Sequence, residues 1–422
     1  MAETVATMTT SSQRVSSPFS ERGPRSGGAL ESGRDIREIT EETTKVYHED
    51  MLAVGALPPD VEPRATEHVA QMIDMIENLI AKGHAYEAEG HVLFSVSSWD
   101  GYGKLSGFNR DEIIEGARVE IAPYKKDAAD FVLWKPSNGT EPGWHSPWGF
   151  GRPGWHMECS AMSNKYLGKE FDIHGGGMDL VFPHHEAEIA QCCAANNNKG
   201  ANYWMHNNMI TIGGQKMGKS LGNFITLDQF FNGTHNKLQQ AYHPMVIRFF
   251  LLQAHYRSTI DFSNDALQAA EKGLIRLFSA IQSLNDLVPK NQSTVDVSSI
   301  ISKCDDAMND DLNTPIVLSY LFELVKIINL TKEGSYALKL EDIENLQQVF
   351  KKYTINIFGL YSISQNKNSS DVDGLMNLIL DIRNKSKENK DWATADKIRD
   401  GLKNLNIQIK DTKDGSQWSY KN

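Results

Sequence analysis

The sequence predicts an α/β unit followed by an all-α one. Three observations carry this: strand-like apolar runs entering glycine-rich segments between residues 151 and 224, shorter strands and turns from Tyr86 to about Trp148, and helical periodicity from about Ser263 to Leu360. With 422 residues, 40% hydrophobic and 23% charged, the chain is long enough for two or three domains with real cores. No uninterrupted apolar run approaches the length of a membrane span. A net charge of −11 argues against a nonspecific polyanion binder but leaves room for RNA held on one basic face. Cys159, Cys192, Cys193 and Cys304 lack regular spacing, which suggests a reducing cytoplasm and no disulfide framework.

Taken in order, residues 1–27 are Ser/Thr/Gly-rich, without periodicity, and are expected to be a disordered leader. Arg14, Arg22, Arg25 and Arg34 among serines fit a transit segment; Glu3, Glu21 and Glu31 count against it. Residues 35–83 read as helical: Thr66 can cap a helix whose apolar face is Val69, Met72, Ile73, Ile76, Leu79 and Ile80, with Gly83 ending it. In the stretch 86–150 the best strands are His91–Val96 and Asp130–Trp134. After the segment 151–262, in which Thr226 begins a capping box with Gln229, residues 263–365 read as a helical bundle. Asn366–Asp371 is expected to be a polar linker. Beyond it, residues 371–422 form a small module: a helix over Trp392–Lys403, a strand over Asn406–Asp411, a strand and turn over Asp414–Trp418, and a basic cluster of Arg383, Lys385, Lys387 and Lys390.

Two constellations carry chemistry. Met209–Ile212 runs into Gly213-Gly-Gln-Lys-Met-Gly-Lys-Ser220, a glycine turn bearing Lys216 and Lys219, two cations that can meet the charge developing on pyrophosphate when a nucleoside triphosphate is attacked at its α-phosphorus. The bland alternative is a surface turn with solvated lysines. The second constellation is Gly151-Arg-Pro-Gly-Trp-His-Met-Glu-Cys159 with Phe171-Asp-Ile-His-Gly-Gly-Gly-Met-Asp-Leu-Val-Phe-Pro-His-His-Glu-Ala-Glu188, whose three consecutive glycines read as a turn. Pro183 suits a first helical turn, so His184 and Glu188, at i and i+4, share one face, while Cys159 opens or precedes another helix. Thiolate, imidazole and carboxylate suit zinc, with a fourth position left for protein, water or substrate. Singly, Cys159 reads as a small buried hydrophobe, His184 as a helix cap and Glu188 as a solvated face.

The lysine loop resembles the Lys-Met-Ser-Lys-Ser signature of class I aminoacyl-tRNA synthetases, with Gly218 in place of the serine. The chain from about residue 28 onward resembles the cysteinyl-tRNA synthetases, on Ala65-Thr-Glu-His-Val, Tyr102-Gly-Lys-Leu-Ser-Gly107, Asp130-Phe-Val-Leu-Trp134, Ser146-Pro-Trp148, Gly154-Trp-His, Phe182-Pro-His-His-Glu186 and Tyr203-Trp-Met-His206. The resemblance implies an incomplete Rossmann-like class I catalytic domain: 28–85 as the remainder of its first half, 86–150 as a connective insertion and 151–262 as its second half. It implies a tRNA-binding bundle at 263–365 and an anticodon-binding module at 371–422, where Trp418 stacks on a base. The implied activity is ATP-dependent activation of L-cysteine and its transfer to tRNA(Cys), by a cytoplasmic monomer, with one Zn2+ per chain and Mg2+ accompanying ATP.

By matched position, Cys159, His184 and Glu188 hold zinc, which in the family binds the substrate thiolate, a bond unavailable to the near-isosteric serine. Trp155 and His174 shape the cysteine pocket. Gly175, Gly176, Gly177 and Asp179 line the adenosine side, and Lys216, Met217, Lys219 and Ser220 form the ATP loop, with Lys216 and Lys219 catalytic. A His-x-Gly-His signature and a further zinc cysteine, both expected in an N-terminal half-domain, do not occur, so the chain alone is expected to be poorly soluble and nearly inactive. Two alternatives remain open: a non-catalytic zinc- and tRNA-binding remnant, and a ligase joining cysteine to an aminosugar, whose members lack the anticodon-binding end.

Overall fold

Proline decides the first departure from expectation. The continuous helical reading of 35–83 resolves into α1 (Ile36–Ala53) and α2 (Val69–Ala81), separated by a non-helical stretch holding Pro58, Pro59 and Pro63, which cannot donate to a helical ladder. Asp35 caps α1 by accepting from the Arg37 N–H. Thr66 does not cap α2; it lies in a 3-10 turn, Ala65–Glu67, and His68 occupies the N-cap. The computed structural model describes residues 34–108, 122–138, 142–218, 221–363, 367–389, 391–404, 407–412 and 415–420. The expected leader, Lys219, Ser220, Asn366 and Lys390 lie outside those residues.

The stretch expected to be an insertion forms an antiparallel sheet of β1 (Ala85–Ala88), β2 (His91–Phe94), β3 (Phe131–Pro136), β4 (Trp144–Ser146) and β5 (Gly149–Pro153), in the order β1-β2-β3-β5-β4. Its inner side chains, Val92, Phe94, Leu133 and Trp134, share a core with Val69, Met72, Met75, Ile76 and Leu79 of α2 and with Met157 and Ala161 of α3 (Trp155–Leu167). The unit that follows positions the site. β6 (Glu170–Gly177), a kinked turn at Val181–His185, α4 (Glu186–Asn196) and β7 (Gly200–Asn207) form a strand–helix–strand crossover, with β6 and β7 parallel and Gly176 opposite His206. Next come β8 (Ile210–Ile212) and β9 (Gln215–Lys216), a hairpin turned by Gly213 and Gly214; β10 (Ile260–Phe262) pairs parallel to β8 on its other side.

The expected capping box of Thr226 and Gln229 is present at the start of α5 (Leu227–Asn232). α6 (Pro244–Leu252) leads to a bundle of α7 (Asn264–Ser283), α8 (Ser298–Asn309), α9 (Thr314–Lys332) and α10 (Leu340–Phe350) around one core, with Phe249, Leu274, Leu321, Leu346 and Phe358 among its buried members. Although no uninterrupted apolar run approaches a membrane span, α9 as a whole is long and apolar enough to cross a membrane by length and composition. Val317, Leu318, Leu321, Leu324, Val325, Ile327 and Ile328 are buried in the bundle, however, so its apolarity is accounted for by core packing.

The C-terminal module is α11 (Lys367–Glu388), α12 (Trp392–Asn404) and a hairpin of β11 (Ile407–Thr412) and β12 (Gly415–Tyr420). Three expectations fail here. The polar linker, from Lys367 onward, is the start of α11 and not a loop. Trp418 packs against the module's small core of Met376, Leu402 and Ile407 instead of standing ready to stack on a base; among the module's described side chains the exposed aromatic is Trp392, at 59%. The basic cluster is not one surface, because Arg383 is buried and Lys385 pairs with Asp381 at 2.7 Å.

Candidate metal centre and phosphate loop

Cys159 lies within α3, more than a turn beyond its first residue, Trp155, and its thiol faces α4, where Glu188 is buried. His184 belongs to the kinked turn, not to the regular helix, yet the i,i+4 relation holds: its Nε2 is 2.6 Å from Glu188 Oε1. Cys159, His184 and Glu188, all buried, offer ligand atoms within 4.8 Å of one another. Neither Glu188 oxygen accepts a hydrogen bond of normal geometry, although His184 and His174 Nε2 lie 2.6 and 3.3 Å away. Buried carboxylate oxygens with ring nitrogens at contact but misaligned are what a cation between them would satisfy. The donor set therefore fits a metal of the zinc type.

Burial opposes charge on Glu188, but the imidazoles of His184, His174 and His185 outweigh it and hold the carboxyl at about 2. Burial pushes the Cys159 thiol well above its ordinary value, with the Glu188 charge adding to the effect. His174 is lowered chiefly by burial, and His185 is lowered to about 3 for the same reason, so both rings are neutral near pH 7. Trp155 stacks on His184 with ring centroids 4.2 Å apart. His156 Nδ1 is 2.8 Å from His184 Nδ1, so a His184 that binds metal through Nε2 donates its Nδ1 proton to His156. On the other side, His185 Nδ1 lies 2.8 Å from His206 Nε2, and Trp204 stacks on His174 at 4.4 Å.

Gly175, Gly176 and Gly177 are not a turn, as the sequence suggested; they are the extended end of β6. None needs a left-handed backbone. What requires glycine is proximity: a Cβ on Gly176 would stand 2.6 Å from His185 Cε1, and one on Gly177 would stand 2.5 Å from Asp179 Oδ1. Bare backbone at the carboxyl end of a parallel strand, beside the 3-10 turn Met178–Leu180, is where such sheets receive ligands. The structure brings His174, the glycines and Asp179 to the same strand end as the metal trio. His156, His185, His206 and Trp204 were quoted in the sequence only within matched motifs, without roles; the alternation of Trp204 and His206 along a strand was the available signal.

The lysine loop is shaped from two sides. Asn223, buried at 3% exposure, accepts from the Gly218 N–H at 2.8 Å and donates to the Lys216 carbonyl at 3.1 Å. Asp261 accepts from the Gly214 N–H at 2.8 Å and from the Thr211 hydroxyl at 2.7 Å, and these bonds draw its pKa down. Lys216 is exposed at the end of β9 and Met217 is half-buried behind it. Sequence reasoning assigned nothing to Asn223 or Asp261.

The model of the class I (C) tRNA synthetase catalytic domain matches residues 27–272, and that of the DALR domain matches 303–362. A cysteine–tRNA ligase of Bacteroides fragilis is 50% identical over 388 residues, covering 90% of this chain and 79% of the relative. The chain belongs to the cysteine–tRNA ligase family. Other members of that family are 51% identical (Parabacteroides distasonis, over 388 residues, 90% of this chain and 79% of the relative) and 46% identical (Rhodospirillum rubrum, over 402 residues, 92% and 82%). Among solved structures, methionyl-tRNA synthetase of Mycobacterium tuberculosis with methionyl-adenylate aligns with a TM-score of 0.51 at 14% identity, over 72% of both chains. A putative arginyl-tRNA synthetase of Campylobacter jejuni aligns at 0.50 and 11% identity, over 77% of this chain and 68% of that one. At such identities the likeness is one of fold, and it agrees with the α/β unit followed by helices.

Proposed function

We propose that the chain activates L-cysteine with ATP and transfers it to tRNA(Cys). The observation that carries this reading is the buried trio of Cys159, His184 and Glu188 beside the glycine end of β6, in a chain about half identical to cysteine–tRNA ligases. A zinc ion held by these three would supply a soft acceptor for the substrate thiolate. The protein groups do the rest by position. Trp155 and His174 bound the pocket, Gly175–Gly177 let the nucleotide approach the backbone, and Asp179 lies on the adenosine side. Lys216 and Lys219 neutralise charge moving onto pyrophosphate as the cysteine carboxylate attacks the α-phosphorus. That carboxylate is already a nucleophile, so the chain needs to orient it, not to deprotonate it. Mg2+ accompanies the triphosphate, the helical bundle and C-terminal module receive tRNA, and the working form is a cytoplasmic monomer.

Cysteine-dependent exchange of pyrophosphate into ATP, together with charging of tRNA(Cys), tests the reading; exchange supported equally by serine would reject the metal-based selectivity. One observation keeps a second reading in view. No His-x-Gly-His occurs among the 422 residues, so the phosphate contacts assignable in this sequence come from the lysine loop. A zinc- and tRNA-binding protein without catalysis would take up cysteine and tRNA yet show no exchange.

A further inference from the structure

The motif Tyr102–Gly107 has no part in the mechanism above, yet it is tied to the metal helix by a buried carboxylate. Glu186, the first residue of α4 and fully buried, lies two positions from each of the ligands His184 and Glu188. Its carboxylate is engaged by the loop 102–108. Oε2 accepts from the Gly103 N–H at 3.0 Å; Oε1 accepts from the Ser106 N–H at 2.7 Å and from the Ser106 hydroxyl at 3.1 Å. The loop is shaped for this: Gly103 has φ of +92°, and a Cβ there would stand 2.1 Å from the Phe108 carbonyl oxygen. A second contact lies alongside, where the Phe108 and Phe182 rings meet edge-on at 5.3 Å, two residues before His184.

We infer that Glu186 is a positioning residue, which clamps the loop 102–108 onto the start of α4 and so fixes the kinked turn that aims His184 into the metal and cysteine site. The physical argument is one of satisfied donors. Two backbone N–H groups and a hydroxyl converge on one buried carboxylate from a segment some eighty residues away, and charge-assisted bonds in such surroundings are strong and directional. Without the carboxylate, those donors have no partner in place and the loop opens to reach water. The His184 turn, which is irregular and has non-helical backbone at Phe182, then loses the support that this loop gives it.

This inference rests on the proposed metal and cysteine site, and the experiment separates the two. Lys104, exposed within the loop, is a ready trypsin site. Glu186→Gln keeps the size but presents an amide N–H2 to one of the donors; Ser106→Ala removes only the hydroxyl bond. Cleavage after Lys104 in native protein should quicken about tenfold in Glu186→Gln and about twofold in Ser106→Ala, with global thermal unfolding shifted by only a few degrees. In cobalt-loaded protein the same variants should weaken cysteine binding, read from the thiolate-to-cobalt charge-transfer band, in the same order, while ATP affinity stays constant. Unchanged cleavage at Lys104 in Glu186→Gln overturns the clamp. Faster cleavage with unaltered cysteine affinity overturns the positioning role. If the unmodified protein binds no cobalt, the metal reading fails and the trypsin comparison alone judges the clamp.

Discussion

At the scale of single residues, the trio is held in opposite protonation states by one environment. Glu188 is kept ionised down to about pH 2 by surrounding imidazoles, while burial and that same negative charge keep the Cys159 thiol protonated. Coordination must therefore expel the Cys159 proton, and apparent metal affinity should rise about tenfold per pH unit below the thiol's pKa. Chelator competition at pH 6.5, 7.5 and 8.5 measures it. Freshly purified protein should carry about one zinc, Cys159→Ser should lose most of it, and a flat pH dependence would mean the thiol is not a ligand. For the metal-free protein the signs follow likewise. A raised thiol costs stability as pH climbs past about 9, its ordinary value, and a depressed Glu188 carboxyl gives stability that is lost as pH falls from about 4.5 toward 2. Gly176 supplies a steric counterpart. Gly176→Ala drives a methyl into His185 and should cost about 1–3 kcal/mol, whereas Gly175→Ala, whose nearest new contact is the Met205 carbonyl at 3.8 Å, should be far milder in thermal unfolding.

At the scale of elements, the lysine loop is legible in sequence as strand, glycine pair and cations, because alternation and turn chemistry are local signals. Its fixation is not. Asn223 reaches back to Lys216 and Gly218 from five to seven residues away, and Asp261 reaches Gly214 from a strand 47 positions distant. If the loop's shape matters to adenylation, Asn223→Ala should slow exchange about tenfold or more while leaving cysteine affinity unchanged; an unchanged rate would show that the loop does not need this brace. The same divide explains the other departures. The helical stripe from Val69 to Leu79 was readable by its period, but the choice of His68 over Thr66 as cap depended on the 3-10 turn before it. The i,i+4 pairing of His184 and Glu188 was readable, but the kink through which His184 achieves it, and the partners of Glu186 on the insertion, come only from packing across the chain. Glycines 175–177 looked like a turn because composition alone cannot distinguish a need for positive φ from a need for close approach.

At the scale of the whole molecule, the family match spans the catalytic unit and the DALR helices, while the C-terminal module has a core of its own. Met376, Leu402 and Ile407, with Ile379, Ile398, Ile409 and Trp418 packed around them, belong neither to the bundle core nor to that of the insertion. A module with a separate core can be removed without unpacking the rest. Its surface carries exposed Lys397, Lys403 and Trp392, a mixture of cations and an aromatic suited to single-stranded RNA, whereas Trp418 is committed to packing. Removing residues 367–422 should therefore leave metal content and cysteine binding intact and weaken tRNA(Cys) binding. It should also flatten the salt dependence of what remains, by about 0.7–0.9 in log–log slope for each phosphate that the module had neutralised. Gel-shift titrations across a range of salt concentrations measure both quantities. If affinity and slope survive the deletion, tRNA is held by the bundle alone; if affinity falls but the slope does not, the module contributes through stacking, and Trp392→Ala should reproduce most of the loss.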